Sequence, residues 1–579
     1  MRKSKSQNFI QGAFILTAAT LVVKIIGMLY KIPLGNILGA GGMSYFMSAY
    51  SIFNPIYTLS VAGLPVAVSK MVSESMARGK WGDMRRIRRV SLAMFLCTGL
   101  LGTVVMFFGA GFFAGLIGNP GAAPAIACMA PAIFFCCIIS SFRGYCQGMH
   151  DMTPTAASQV VEAVTKLVCG IAFASYLLQR GLGEYAAAGT VYGAAAGSLA
   201  QARLLALPWA AAGAVLGVTA STMAGAAYLF GRHLLRGDGI DRDRLRGSMP
   251  TRSPASIVGG LGRIALPVCL AAAVAHISTL IDVATIMNRI TVAMARDAGA
   301  VLGRYAIWLP AELGLEAVPS YLYGAYGYTT SLFNLVPALT VALGISALPG
   351  ISSDWALGRR AEAADRIRSV LKLSALVAIP AGLGLCAMAG PVLTLLYPNL
   401  PAEVAIATPL LRTMGIAAAL VGITTPMMSI FQAIGRPGVP VRLMLLGALI
   451  KAVANYTLIA VPAVNIAAAP IGTVLCYGFI LAVGLWLLAR ETGIAPELAK
   501  TFLKPLICGI LCMVSANTSY NLIARVWDSR LVTLAGIAVG GAVYIIFILF
   551  LGVVSKKEVL MLPNGKKIAK ILEKLSFLG

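Results

Sequence analysis

Seven charged residues stand inside stretches that are otherwise apolar: Lys24, Lys31, Arg143, Lys166 and Lys451, with Glu162 and Asp282. A charge at membrane depth is costly unless it is paired or faces water, so each marks a polar path by default. Glu162 and Lys166 are one helical turn apart and can pair on a single face. Asp282 falls in the middle of Ile264 to Ile290, with His276 and Asn288 roughly two turns before and after it. Cations gathered around an enclosed, water-filled hollow suit an anionic headgroup whose phosphate they hold. Lys24, Lys31, Arg143, Lys166 and Lys451 are therefore the candidate substrate-binding cations. Glu162 and Asp282 are candidate ion-pair or coupling groups, Asp282 for a proton or a sodium ion. Arg143 and Arg412 sit nearer span ends, from which a long side chain can also snorkel to the headgroups.

Other chemistries find little support. The eleven cysteines lie almost all in apolar stretches, and the nearest motif, Cys508-x-x-x-Cys512, has neither histidine partners nor zinc-type spacing, so no metal or cofactor is expected. Asp241-Arg242-Asp243 superficially matches a glycosyltransferase metal-nucleotide signature but lies in a short linker that cannot form a nucleotide-binding fold. With no Gly-x-x-x-x-Gly-Lys-Ser/Thr loop, ATP is not the direct energy source, which leaves an ion gradient or the membrane potential.

The elements that must position these residues are membrane helices. Of 579 residues, 59% are hydrophobic and 12% charged, with a mean hydropathy of +0.85, far too apolar for a soluble protein. Fourteen apolar stretches long enough to cross the hydrocarbon begin near Phe9, Met43, Val90, Ala122, Thr155, Trp209, Ile264, Tyr328, Val370, Val404, Val439, Ile466, Phe502 and Leu531. The expected class is all-α: a polytopic membrane protein of two parallel-repeat lobes around a central cavity. The net charge of +25 does not indicate nucleic acid, because the basic residues fall in every second connection between spans. By the positive-inside rule both termini are cytoplasmic, and the basic surface meets anionic lipid headgroups.

The lobes are read from a repeat. Ser51-Ile52-Phe53-Asn54 returns as Ser331-Leu332-Phe333-Asn334, and 331 minus 51 is 280; Arg86-Ile87-Arg88 returns at the same offset as Arg366-Ile367-Arg368. Gln147 and Lys166 return as Gln432 and Lys451, displaced by 285. The expected division is an N-terminal lobe over 1–231, a basic cytoplasmic linker over 232–263, a C-terminal lobe over 264–489, two further spans over 490–555 and a basic amphipathic tail helix over 556–579. A local duplication repeats Ala186-Ala187-Ala188-Gly189 as Ala210-Ala211-Ala212-Gly213, and parallel lobes require that one copy not cross fully. Gly189, Gly193, Gly197 and Ser198 would let that copy pack tightly against neighbours. Pro55, Gly63 and Pro65 in the second span, and Pro337, Gly344 and Pro349 in its repeat, are candidate bending points for opening and closing.

Several segments resemble the multidrug/oligosaccharidyl-lipid/polysaccharide exporter superfamily, most closely its stage V sporulation protein B-like, lipid II flippase-like branch. They are Lys24-Ile25-Ile26-Gly27 through Tyr30-Lys31-Ile32-Pro33-Leu34, Ala62 through Lys70, Phe142-Arg143-Gly144-Tyr145-Cys146-Gln147-Gly148 with Gln159 and Glu162, and Tyr323-Gly324 to Pro349-Gly350. The resemblance implies two helical lobes that flip an undecaprenyl-diphosphate-linked saccharide, a peptidoglycan, spore-cortex or other cell-wall precursor, across a bacterial plasma membrane. It also implies a monomer coupled to protons, sodium or the membrane potential. Lipid II flippases carry several cavity arginines; here only Lys24 gives a clear basic match, while Tyr30 and the vicinity of Thr330 are uncharged. Two alternatives stay open: a multidrug/cation antiporter of the same superfamily, which would need acidic cavity residues, and an integral-membrane glycosyltransferase or polymerase using Glu312 and Glu316 on an outer connection.

Overall fold

The computed structural model describes residues 9–552, except 62, 238–239, 241–247, 249–250, 494–498 and 528. The expected tail helix over 556–579 and Asp241-Arg242-Asp243 lie outside the described residues.

Helix follows helix, as a chain of apolar stretches must arrange when each backbone group needs an internal partner. The order is α1 (Phe9–Val61), α2 (Leu64–Ala77), α3 (Trp81–Phe108), short α4 (Ala110–Leu116), α5 (Ala123–Gly148), α6 (Thr153–Ala188), a hairpin of β1 (Thr190–Val191) and β2 (Ala194–Ala195), and α7 (Leu199–Arg236). Then come α8 (Pro254–Arg296), α9 (Ala298–Tyr305), α10 (Val318–Phe333), α11 (Leu335–Ala356), α12 (Arg360–Ala387), short α13 (Ala389–Leu396), α14 (Pro401–Ala433), α15 (Gly438–Leu458), α16 (Ala468–Thr492), α17 (Lys504–Ala524) and α18 (Val532–Phe550).

Among the described residues thirteen helical stretches are long and apolar enough to span a membrane. The first of these is two spans. It covers 60 residues, about 90 Å of helix, three times the hydrocarbon thickness, and is broken where Gly39 takes φ 60° and ψ −171°. That break falls between the two apolar stretches expected to begin near Phe9 and Met43. The repeat is visible in the element order too, since α3–α4–α5 and α12–α13–α14 both place a short helix between two long ones.

The chain forms two compact units: Met1–Asn288 with Pro310–Gly324, and Arg289–Leu309 with Ala325–Gly579. They part inside α8 and α10, not within 232–263. Helices reach into both ends of that stretch, since α7 runs to Arg236 and α8 starts at Pro254.

In the first unit α6 and α7 pack backbone to backbone. An added Cβ on Gly213 would come 2.6 Å from the Phe173 carbonyl oxygen, and one on Gly217 would land on Gly170 and Cys169, which is how small residues join membrane helices. Gly189 and Gly193 do not serve this purpose: a Cβ added at either would meet nothing within 4 Å, and with φ of 68° and 84° they end α6 and turn the hairpin. The first copy of the duplication therefore closes α6 and forms the hairpin, and only the second lies within a new helix. Glu184 fastens that hairpin, accepting from the Thr190 hydroxyl at 2.9 Å and from the backbone N–H groups of Tyr192 and Gly193 at 3.1 and 3.2 Å.

In the second unit Gly382 and Gly415 bring α12 and α14 together, each blocking the place a Cβ on the other would take. The segment before Pro310 is tied to the end of α15. Arg289 Nε donates to the Tyr456 carbonyl at 3.0 Å, Arg296 to Ala460 at 3.2 Å and Arg304 to Ala463 at 2.5 Å, satisfying carbonyls that a helix end leaves open.

Candidate functional site

Within the first unit, α1, α5, α6 and α7 enclose a pocket of about 400 Å³. Its lining follows helical periodicity. Lys24, Gly27 and Tyr30 form one stripe of α1, with Phe53 and Tyr57 further along that helix. Gln159, Glu162, Ala163 and Lys166 form a stripe of α6, and Val218, Ser221 and Thr222 one of α7. Each stripe repeats at three or four residues, so the faces converge once the helices pack.

The charges are arranged unequally. Glu162 is claimed by Arg143 of α5 in an ion pair, and the Arg143 Nε donates to the Ser158 hydroxyl at 2.9 Å. Both side chains of the pair are only about a fifth exposed, 18% and 21%. Gly225 leaves room for this carboxylate, since a Cβ there would come 2.7 Å from the Glu162 Cγ. Lys166, one turn on, lies over two rings, with its Nζ 5.2 Å from the centroid of Tyr30 and 5.6 Å from that of Tyr50, a placement the aromatic quadrupole favours. Tyr30 is fixed by its hydroxyl, which donates to the Ala214 carbonyl at 3.1 Å, and its ring sits where any side chain on Gly170 would be. Lys31 is within electrostatic reach of Lys166. Lys24 lines the pocket and is itself exposed.

With Glu162 neutralised by Arg143, Lys24 and Lys166 leave the pocket net positive. Gln159 Oε1 and the Tyr50 hydroxyl are buried without a protein partner among the described residues, an unusual condition for polar atoms and one that a ligand or water would relieve. Phe53 and Tyr57 stack on each other, with centroids 5.4 Å apart and an interplanar angle of 13°, and add aromatic surface to the lining.

Other expected site residues lie elsewhere. Asp282, on α8 of the first unit, is not part of the pocket lining; it interacts electrostatically with Tyr323, whose hydroxyl bonds Ser51. Lys451 lies on α15 of the second unit and is 3% exposed, beside Asn455 and against Gly472, where an added Cβ would sit 3.6 Å from the Lys451 Cγ. Glu312 accepts a hydrogen bond from the Ser198 hydroxyl at 3.0 Å. Pro55 is carried inside α1, whereas Gly63 and Pro65 begin α2. Gly63 is also a close-approach residue: a Cβ there would land on the Ala265 carbonyl, and its N–H points to the Cys269 thiol at 3.2 Å. In the repeat the break falls at Asn334 between α10 and α11, and Pro337, Gly344 and Pro349 are all carried within α11. The two second spans thus bend at non-equivalent points.

Charge inspection alone passes over Phe53, Tyr57, Ser221 and Thr222. The signal for them was the stripe, because each falls three or four residues from another lining residue.

Comparison with known proteins accounts for this architecture. Residues 9–236 match the family described as polysaccharide biosynthesis protein, and residues 317–535 match the family described as lipid II flippase MurJ. The chain is 25% identical over 568 residues to stage V sporulation protein B of Bacillus subtilis (strain 168), covering 96% of this chain and 98% of that one. It is 31% identical to the lipid II flippase MurJ of the same organism over 172 residues, 28% of this chain and 32% of that one. A solved structure of lipid II flippase MurJ in an inward closed conformation superposes with a TM-score of 0.63 at 14% identity, covering 93% of this chain and 98% of that one, a likeness of fold.

Proposed function

Because the chain belongs to the multidrug/oligosaccharidyl-lipid/polysaccharide exporter superfamily, on its stage V sporulation protein B-like, lipid II flippase-like branch, we propose that it flips an undecaprenyl-diphosphate-linked saccharide from the inner to the outer leaflet of a bacterial plasma membrane by alternating access. The observation that carries this reading is the net-positive pocket of the first unit. Lys24 and Lys166 supply the charge-assisted hydrogen bonds a diphosphate needs, Phe53 and Tyr57 offer a surface for the sugar, and Gln159 has an acceptor to spare. The prenyl tail stays in the lipid, so only the polar head must be sheltered.

Arg143 works through Glu162: by holding that carboxylate it keeps a negative charge from opposing the phosphate. The same pairing argues against a cation antiporter, which would need Glu162 free. Lys31 reinforces the field at Lys166. Asp282 is assigned the coupling role, binding a proton or sodium ion, with the membrane potential as the other source of drive. Gly63 and Pro65, and the Asn334 break ahead of Pro337, Gly344 and Pro349, are the points at which the second spans flex. Both termini are placed in the cytoplasm by the distribution of Lys and Arg, and the working unit is a monomer.

The test is depletion of the protein in the bacterium that encodes it, followed by leaflet-resolved analysis of lipid-linked precursors. A lipid-diphosphate saccharide trapped in the inner leaflet is the expected result and identifies the sugar. Unchanged precursors together with retention of a cationic drug would overturn the flippase reading in favour of the antiporter.

A further inference from the structure

The second unit holds a pocket of its own, of about 480 Å³, between α12, α14 and α17. It exists because α17 is pressed to α12 at one level and released at the next. At Gly509 an added Cβ would lie 3.0 Å from Ile379 and 3.1 Å from Leu383. One to two turns later Val514, Asn517 and Thr518 face Arg412, Thr413 and Ile416 across open space.

The Arg412, Asn517 and Thr518 side chains in this space are exposed and have no protein partner among the described residues. Arg412 is eleven residues past the start of α14 at Pro401, about 16 Å along the axis. Asn517 is seven residues short of the end of α17 at Ala524, about 10 Å. Among the described residues no hydrogen bond or ion pair engages the Arg412 guanidinium, the Asn517 carboxamide or the Thr518 hydroxyl; Arg412 gives only its carbonyl, to the Cys386 thiol at 2.9 Å. An arginine within an apolar span is expensive unless something answers it. No carboxylate lines the pocket, and its unengaged groups are a guanidinium fork, an amide N–H₂ and a hydroxyl, all donors suited to a phosphate. Ile416 and Val514 are 46% and 52% exposed, which leaves apolar surface beside the polar groups of the pocket.

We propose that this pocket binds the phosphate of a membrane lipid: the Arg412 guanidinium takes two phosphate oxygens, Asn517 and Thr518 donate to the same group, and the lipid's chains run over Ile416 and Val514. The pocket lies wholly in the second unit and does not depend on the reading of the first. Two lipids carry the required chemistry, a glycerophospholipid and a polyprenyl phosphate.

The full-length protein in detergent, studied by native mass spectrometry with phosphatidylglycerol, undecaprenyl phosphate or phosphate-free diacylglycerol added separately, distinguishes them. Phosphate-bearing lipid should be retained in preference to diacylglycerol, and whichever of the two is retained better is the occupant. Arg412→Gln should weaken that retention roughly tenfold, as loss of hydrogen bonds to a charged group implies, with Arg412→Lys in between. A photoactivatable form of the retained lipid should label peptides around Arg412 and Asn517 in the native protein and not in Arg412→Gln. Should Arg412→Gln fail to fold, Asn517→Ala with Thr518→Val carries the same comparison with the charge intact. Equal retention and labelling in native and variant proteins, or diacylglycerol held as well as the phosphate lipids, overturns the proposal.

Discussion

Lys166 and Lys451 hold the same place in the two halves of the repeat, 451 minus 166 being 285, yet they have different surroundings. Lys166 lines a pocket and rests over two tyrosine rings, whereas Lys451 is buried at 3% exposure beside Asn455 and Gly472. A duplicated sequence therefore preserved the helix order and the ammonium while the neighbours decided what the ammonium can reach. Tyr30 and Tyr50 create the opening at one copy; Gly472, by permitting close approach of α16, closes it at the other. One copy of the lysine therefore lines open space and the other is buried.

The largest way to break this contrast concerns coupling, which the proposed function assigns to Asp282 in the first unit. Asp282→Asn should abolish dependence of flipping on the ion gradient in reconstituted vesicles while leaving gradient-independent exchange. Full retention of that dependence would move coupling out of α8. Next in size is stability. Lys451→Ala removes a buried side chain and should cost about 3 kcal/mol, read as a lower melting temperature in detergent, while Lys166→Ala should shift it far less. Equal shifts in the two variants would erase the difference in environment. The reverse holds for transport: Lys24→Ala and Lys166→Ala should each slow lipid translocation roughly thirtyfold, about 2 kcal/mol for a lost hydrogen bond to a charged group, with the fold intact. Normal rates in both would make these lysines structural.

Membrane helices were legible because apolar length and periodicity are local properties of a chain. The break at Gly39 was legible for the same reason, as the end of one apolar stretch and the start of another. Which faces meet was only partly legible. Glu162 was placed with Lys166 by spacing, but its stronger partner is Arg143, nineteen residues earlier on another helix, and no spacing rule reaches across a helix crossing. The glycines near Gly189 read as packing residues although they form a turn, since a small residue serves both purposes and the sequence does not show which carbonyl will arrive beside it. Arg412 could be read as a snorkelling side chain because the pocket beside it depends on α17, about a hundred residues later in the chain.

A second pair of equivalent positions sharpens the same contrast at smaller scale. Glu74 and Asp354 are also 280 apart, as are Arg86 and Arg366. In the second unit the pair closes directly, Arg366 Nε to Asp354 at 2.5 Å, with the arginine side chain 49% exposed. In the first unit the segment ahead of α8 intervenes. Arg252 takes Glu74 at 3.6 Å, Arg86 donates to the Arg252 carbonyl at 2.8 Å, and the buried Asp83 accepts from the Thr251 and Arg252 backbone N–H groups at 2.6 and 2.9 Å and from the Thr251 hydroxyl at 2.7 Å. Both carboxylates are buried, but among the described residues Asp83 accepts three bonds where Asp354 has one partner, a half-exposed arginine. Asp83→Asn should therefore cost about 1 kcal/mol more than Asp354→Asn, and amide exchange at Thr251 and Arg252 should quicken only in the former. If both substitutions cost the same and those two amides stay protected, the inserted segment is held by something other than Asp83, and the two corners are equivalent after all.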